Sequence, residues 1–106
     1  MSAFLAFYQL REMRLYDRAR MRPIGGVAKL DADMDRGYQM SRDWVDNPDV
    51  EQRCQIVGDK MLTAMHNDNK KLLMLLAAYI RSRVAGMKGI RIDTRGEMME
   101  TELVME

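Results

Sequence analysis

The sequence predicts an all-α fold, a small bundle of about four helices with a short C-terminal helical tail. Apolar residues recur at spacings of three and four along most of the chain. Only two prolines and seven glycines interrupt its 106 residues. The breaks between periodic segments are short, which favours antiparallel neighbours. The expected organisation is a helical bundle domain over residues 1–96 and an acidic, methionine-rich tail over 97–106.

The first predicted helix covers residues 3–21. Ser2 can cap it, and Pro23 with Gly25 and Gly26 ends it. Ala3, Ala6, Leu10 and Met13 fall at helical spacing, and no β-branched residue precedes Ile24. A second helix is expected over 28–45, with Leu30, Met34, Tyr38, Ser41 and Val45 on one stripe. Gly37 lies inside it and weakens it by roughly 1 kcal/mol relative to alanine. Val27 to Leu30 reads alternatively as a short extended piece.

Asn47 and Pro48 mark the start of a third helix. Asn47 can accept from free backbone donors, Pro48 suits the first helical position, and Asp49 and Glu51 sit near the positive dipole end. Val50, Cys54, Val57, Met61 and Ala64 form its core-facing stripe. The turn at residues 66–69 caps a fourth helix over 70–85, which is apolar on every side from Leu72 to Ile80. Such a helix is central in a bundle or covered by another chain. Gly86 and Gly89 end it. Ile90-Arg91-Ile92 alternates like a very short strand, and the final ten residues read as a terminal helix too short to fold alone.

Composition narrows the class. Apolar residues make up 47% and charged residues 31%, as in folded rather than disordered chains. The net charge of +1 excludes a strongly basic or acidic protein, yet it alternates in blocks: +4 over residues 1–30, −5 over 31–69, +6 over 70–95 and −4 over 96–106. The single cysteine, Cys54, fits a reducing compartment. The longest apolar run has nine residues, Leu72 to Ile80, whereas a membrane span needs about twenty. The first ten residues lack the basic leader and cleavage pattern of a signal peptide. A cytoplasmic location is expected.

The densest chemistry lies in residues 11–22, where five arginines accompany two acids. On a helix, Arg11, Arg14, Arg18 and Arg22 fall within roughly 80° of arc, uninterrupted by acids. Guanidinium forks there suit an acidic protein surface or phosphate oxygens. The plainer reading is a solvated face with local pairs such as Arg14 to Asp17. Arg81, Arg83, Lys88, Arg91 and Arg95 form a second basic stretch. Against nucleic-acid binding, Tyr16 alone interleaves with the first stretch, and base stacking needs exposed aromatics. A helix-turn-helix reader is excluded because its second helix is Leu72 to Ile80.

Other motifs fall short. Asp31, Asp33 and Asp35 open like a calcium loop, but Arg36 and Arg42 stand where glycine and the bidentate glutamate belong. His66 is the only histidine and lies in a turn. Cys54 lies on a core stripe about 18 Å from it along the helix, so the two form no catalytic pair. No metal or cofactor is expected, and no enzymatic activity. Twelve methionines read as core filler or as an adaptable interface. Trp44 is half-buried under the Asp46-Asn47-Pro48 turn or serves as an interface anchor.

These readings converge on a non-enzymatic protein-interaction module. It is expected to be an accessory, regulatory or inhibitory subunit that binds an acidic partner surface, or a second copy, through Arg11, Arg14, Arg18 and Arg22. The alternative is nucleic-acid binding by the same face. No membrane or small-molecule partner is expected.

Overall fold

The computed structural model describes residues 5–10, 16–17, 22–23, 26–84, 86–95 and 97–105. It is a small α+β domain with three helices, which replaces the expected all-α helical bundle. The elements run β1 (Leu5–Gln9), β2 (Tyr16–Asp17), β3 (Arg22–Pro23), α1 (Val27–Asp35), β4 (Tyr38–Met40), β5 (Asp43–Val45), α2 (Val50–His66), α3 (Lys70–Arg83), β6 (Met87–Asp93), a 3-10 turn (Met98–Glu100) and β7 (Glu102–Met105).

The first correction concerns the helix expected over 3–21. Residues 5–9 are a strand paired antiparallel with β6, from Leu5 opposite Asp93 to Gln9 opposite Gly89. Phe7 and Tyr8 fit a pleated surface well, and a partner strand some eighty residues away supplies the hydrogen bonds. The Leu10 N–H continues the ladder to the Lys88 carbonyl at 3.0 Å. Arg22 lies in β3, which pairs with β2 as a two-residue ladder.

The second correction falls at Gly37. The helix expected over 28–45 stops at Asp35, because Gly37 takes φ 108° and its N–H turns back to the Met34 carbonyl at 3.0 Å. A left-handed glycine just past the last turn is a common helix stop. The chain then forms a β4–β5 hairpin, with Tyr38 opposite Val45 and Gln39 opposite Trp44. The Trp44 indole lies over Gly37, so that a Cβ there would stand 2.7 Å from Cζ2.

The α2–α3 hairpin follows the predicted periodicity. Cys54, Val57, Met61 and Ala64 are buried, while Val50 in the first turn is exposed. The cap sits two residues later than expected. Asp49 accepts from the Gln52 N–H at 2.8 Å, and the Gln52 side chain accepts from the Asp49 N–H at 2.9 Å, a reciprocal capping box. Asn69 caps α3 by accepting from the Leu72 N–H at 3.1 Å. Leu76 to Ile80 are all buried, as the all-round apolar run requires.

The third correction is the C-terminal segment. Its expected helix is instead the 3-10 turn and β7, which closes a three-stranded antiparallel sheet in the order β1-β6-β7. Ile90 and Ile92 share one face of β6 and pack on α2. Gly58 permits the approach, since a Cβ there would meet Ile90 Cδ1 at 3.1 Å and Thr101 Cγ2 at 3.2 Å. The core runs from these isoleucines through Ile56, Val57 and Met61 to Leu76, Tyr79 and Ile80, and reaches Met34 and Met40.

Replacing Gly37 with alanine forces an L side chain into the left-handed region and into the Trp44 ring. Gly37→Ala is expected to cost about 1–3 kcal/mol in urea unfolding. Native Trp44 emission should shift as the indole is displaced.

Candidate functional site

The most connected polar group belongs to α1. Asp31 and Asp35 are one helical turn apart and face Arg53 at the start of α2. The Asp31 Oδ1 accepts from the Tyr79 hydroxyl at 2.5 Å and from Arg53 Nη1 at 3.0 Å. Its Oδ2 accepts from Arg83 Nε at 2.9 Å and Nη2 at 2.7 Å. Arg53 also donates to the Pro48 carbonyl at 2.7 Å and to Asn47 Oδ1 at 2.8 Å, and ion-pairs with Asp35 at 2.9 Å. Burial raises the Asp31 pKa, but the hydrogen bonds from Tyr79, Arg83 and Arg53 outweigh it and hold the carboxyl below its ordinary value. Burial and the bond to Asp31 push the Tyr79 phenol up.

This saturation decides the calcium-loop resemblance. Both Asp31 oxygens are committed to side-chain donors, and Asp33 pairs instead with Lys29 at 3.2 Å. Among the described residues, no group of three or more histidine, cysteine or acidic side chains could hold a metal ion. The network ties α1 to α2 and α3.

The predicted site residues scatter. Arg11, Arg14 and Arg18 lie outside the described residues, and Arg22 stands in β3 rather than on a helix. Of the second basic set, Arg83 is held by Asp31, Arg91 reaches Glu102 at 3.6 Å, and Arg95 pairs with the buried Asp93 at 2.9 Å. The hydrogen bonds from Arg95 hold the Asp93 carboxyl below its ordinary value, against the effect of burial. Arg81 Nη1 reaches the Leu10 carbonyl at 3.4 Å, and Lys88 is exposed on β6. Trp44 is 59% exposed, and its indole N–H donates to Asp46 at 2.7 Å.

A surface not anticipated from the sequence lies along β7. Gln55, nine-tenths buried on α2, donates to the Met99 and Thr101 carbonyls, both at 3.1 Å. Thr101 Oγ1 in turn accepts from the Asp93 N–H at 3.2 Å. These bonds fix the 3-10 turn and set β7 beside β6, with Glu102 opposite Arg91 and Val104 opposite Gly89. Among the described residues β7 has no strand on its other side. Between it and the first half of α2 runs a groove of about 550 Å³, bordered by Glu51, Glu100 and Glu102 and by Met99, Leu103 and Met105. Met99 is 40% and Met105 52% exposed. The sequence shows there only a short apolar run, Leu103-Val104-Met105, with a single β-branched residue, which reads as part of a helix.

No family model, curated protein or solved structure matches the chain. Among the described residues, no helix is long and apolar enough to cross a membrane.

Two outcomes follow from these side chains. Asp31→Ala leaves Arg53 and Arg83 without their shared acceptor, and is expected to cost on the order of 3 kcal/mol in urea unfolding. Because the folded pKa of Asp31 lies below its ordinary value of 3.8, its contribution is present above that value and is lost as pH falls through the folded pKa. The variant should therefore lose less stability than the parent on acidification below pH about 4. Burial, aided by the charges of Asp31 and Glu51, pushes the Cys54 thiol up to about 12. Iodoacetamide at pH 8 should therefore leave the native protein unmodified and alkylate it only in denaturant.

Proposed function

We propose that the chain is a non-enzymatic protein-interaction module, an accessory or regulatory subunit of a larger cytoplasmic assembly. The observation that supports this most directly is the outer edge of β7, unpaired among the described residues, beside an acidic, methionine-bordered groove. An unpaired strand edge offers a row of backbone donors and acceptors to an incoming extended segment. Thioether side chains adapt to irregular contacts, and Glu51, Glu100 and Glu102 favour a partner segment carrying lysine or arginine.

Charge on a short edge strand also guards against self-pairing. The same glutamates welcome a basic partner. The arginines of residues 11–22 are a separate proposed contact for an acidic surface. The nucleic-acid alternative is disfavoured by Arg83, Arg91 and Arg95, whose guanidinium groups are engaged by carboxylates of the same chain.

The test is capture from host extract with and without nuclease, using the parent protein and a Glu100→Lys, Met105→Ser double variant. A stoichiometric protein partner that survives nuclease should be retained by the parent and fall at least about tenfold in the variant. Bound amides of residues 102–105 should also gain protection from hydrogen exchange. Partners lost on nuclease treatment, or equal retention by both proteins, would overturn the reading.

A further inference from the structure

A second concave surface lies away from β7, where α1, β4, α2 and α3 converge on a half-open cavity of about 380 Å³. Its apolar wall comes from Leu30 of α1 and from Leu72 and Leu76, one turn apart on α3. Tyr38 and Thr63 complete it, and Asp59 of α2 lines it. Lys60 lines it as well. That volume falls within the range of small-molecule sites, and an apolar wall with a few polar groups is their usual construction.

Asp59 is the polar group at issue. It is partly buried, and no described residue donates a hydrogen bond to its carboxylate or forms an ion pair with it. The Thr63 hydroxyl, one turn along α2, donates to the Asp59 backbone carbonyl at 3.4 Å and so leaves the carboxylate unserved. Burial raises the carboxyl pKa, and the nearby charge of Lys60 only partly offsets this. Lys60 itself has a partner, since its Nζ stands 5.3 Å from the centre of the Tyr38 ring.

We propose that this cavity binds a small primary ammonium ion with a short apolar chain, its charge on the Asp59 carboxylate and its chain against Leu30, Leu72 and Leu76. A partly buried carboxylate without a donor among the described residues gains from a charge-assisted hydrogen bond to a cation. It repels an anion, and a neutral alcohol offers it a weaker donor. Lys60 opposes the ligand's charge from the Tyr38 side, so its effect on affinity is opposite in sign to that of Asp59. The site shares no residue with the β7 groove and stands independently of the interaction described there.

The experiment is an NMR titration of the full chain with n-hexylammonium, n-hexanol and n-hexanoate, each at the same ionic strength. Hexylammonium is expected to shift the amides of Leu30, Thr63, Leu72 and Leu76 and to bind at least about tenfold more tightly than either comparator. Asp59→Asn should reduce its affinity to that of hexanol while thermal stability is unchanged or higher, because a poorly solvated charge has been removed. Lys60→Gln should tighten binding. Equal or tighter binding of hexanoate or hexanol, unchanged affinity in Asp59→Asn, or weaker binding in Lys60→Gln would each overturn the proposal.

Discussion

The Asp31 carboxylate is the constraint on which the arrangement of the helices depends. One side chain on a nine-residue helix engages Tyr79 and Arg83 from the end of α3 and Arg53 from the start of α2. Arg53 carries the connection onward to the Asn47–Pro48 turn. A helix as short as α1 has little stability of its own, and only Met34 among its residues is fully buried. Its position therefore rests on this network together with the partial burial of Val27 and Leu30. Carboxylate and guanidinium groups removed from water are tolerated here because each has specific partners; with one missing, the others would be left uncompensated.

A second constraint acts from α2 toward the sheet. Gly58 lets the helix backbone approach Ile90 and Thr101, and Gln55 holds the carbonyls on either side of the 3-10 turn's end. Together they deliver β7 to β6, with no strand on its outer side among the described residues. The same helix borders both concave surfaces. Glu51 and Gln55 in its first half line the β7 groove, and Asp59, Lys60 and Thr63 in its second half line the cavity. The groove is acidic and joined to a strand edge, which suits a chain in extended conformation. The cavity is walled by leucines with the Asp59 carboxylate and, on the Tyr38 side, Lys60. The two surfaces differ in chemistry because the helix meets a sheet at one end and helices at the other.

The charge blocks of the sequence take on meaning in this arrangement. The acidic stretch after residue 31 and the basic stretch after residue 70 meet at Asp31, Arg53 and Arg83, so part of the basic block is spent inside the fold. Arg91 and Arg95 are likewise met by Glu102 and Asp93. Charge counted along the chain overstated what is presented to a partner. For Arg53 and Arg83 only contacts distant in sequence reveal the occupancy, whereas Arg95 is met by Asp93 two residues away.

The sequence alone determined α2 and α3. Their apolar spacing, the Asn69 cap and the buried stripe through Cys54 and Met61 are local, because helix hydrogen bonds close within four residues, although α2 is capped by Asp49 rather than by the expected Asn47. It also determined that Cys54 is core rather than nucleophile, since its place on that stripe buries it. The tertiary structure decided the rest. Residues 5–9 carry no β-branched side chain and read as helix, yet become strand because β6 supplies their hydrogen bonds from the far end of the chain. Gly37 looked like a weak point within a helix, but its positive φ and the overlying Trp44 make it a stop. Residues 102–105 became an edge strand for the same reason as β1: a strand's partners are remote, so pairing is invisible to local periodicity. The candidate surfaces followed from those pairings, because neither an open edge nor a cavity between four elements exists until the chain has folded.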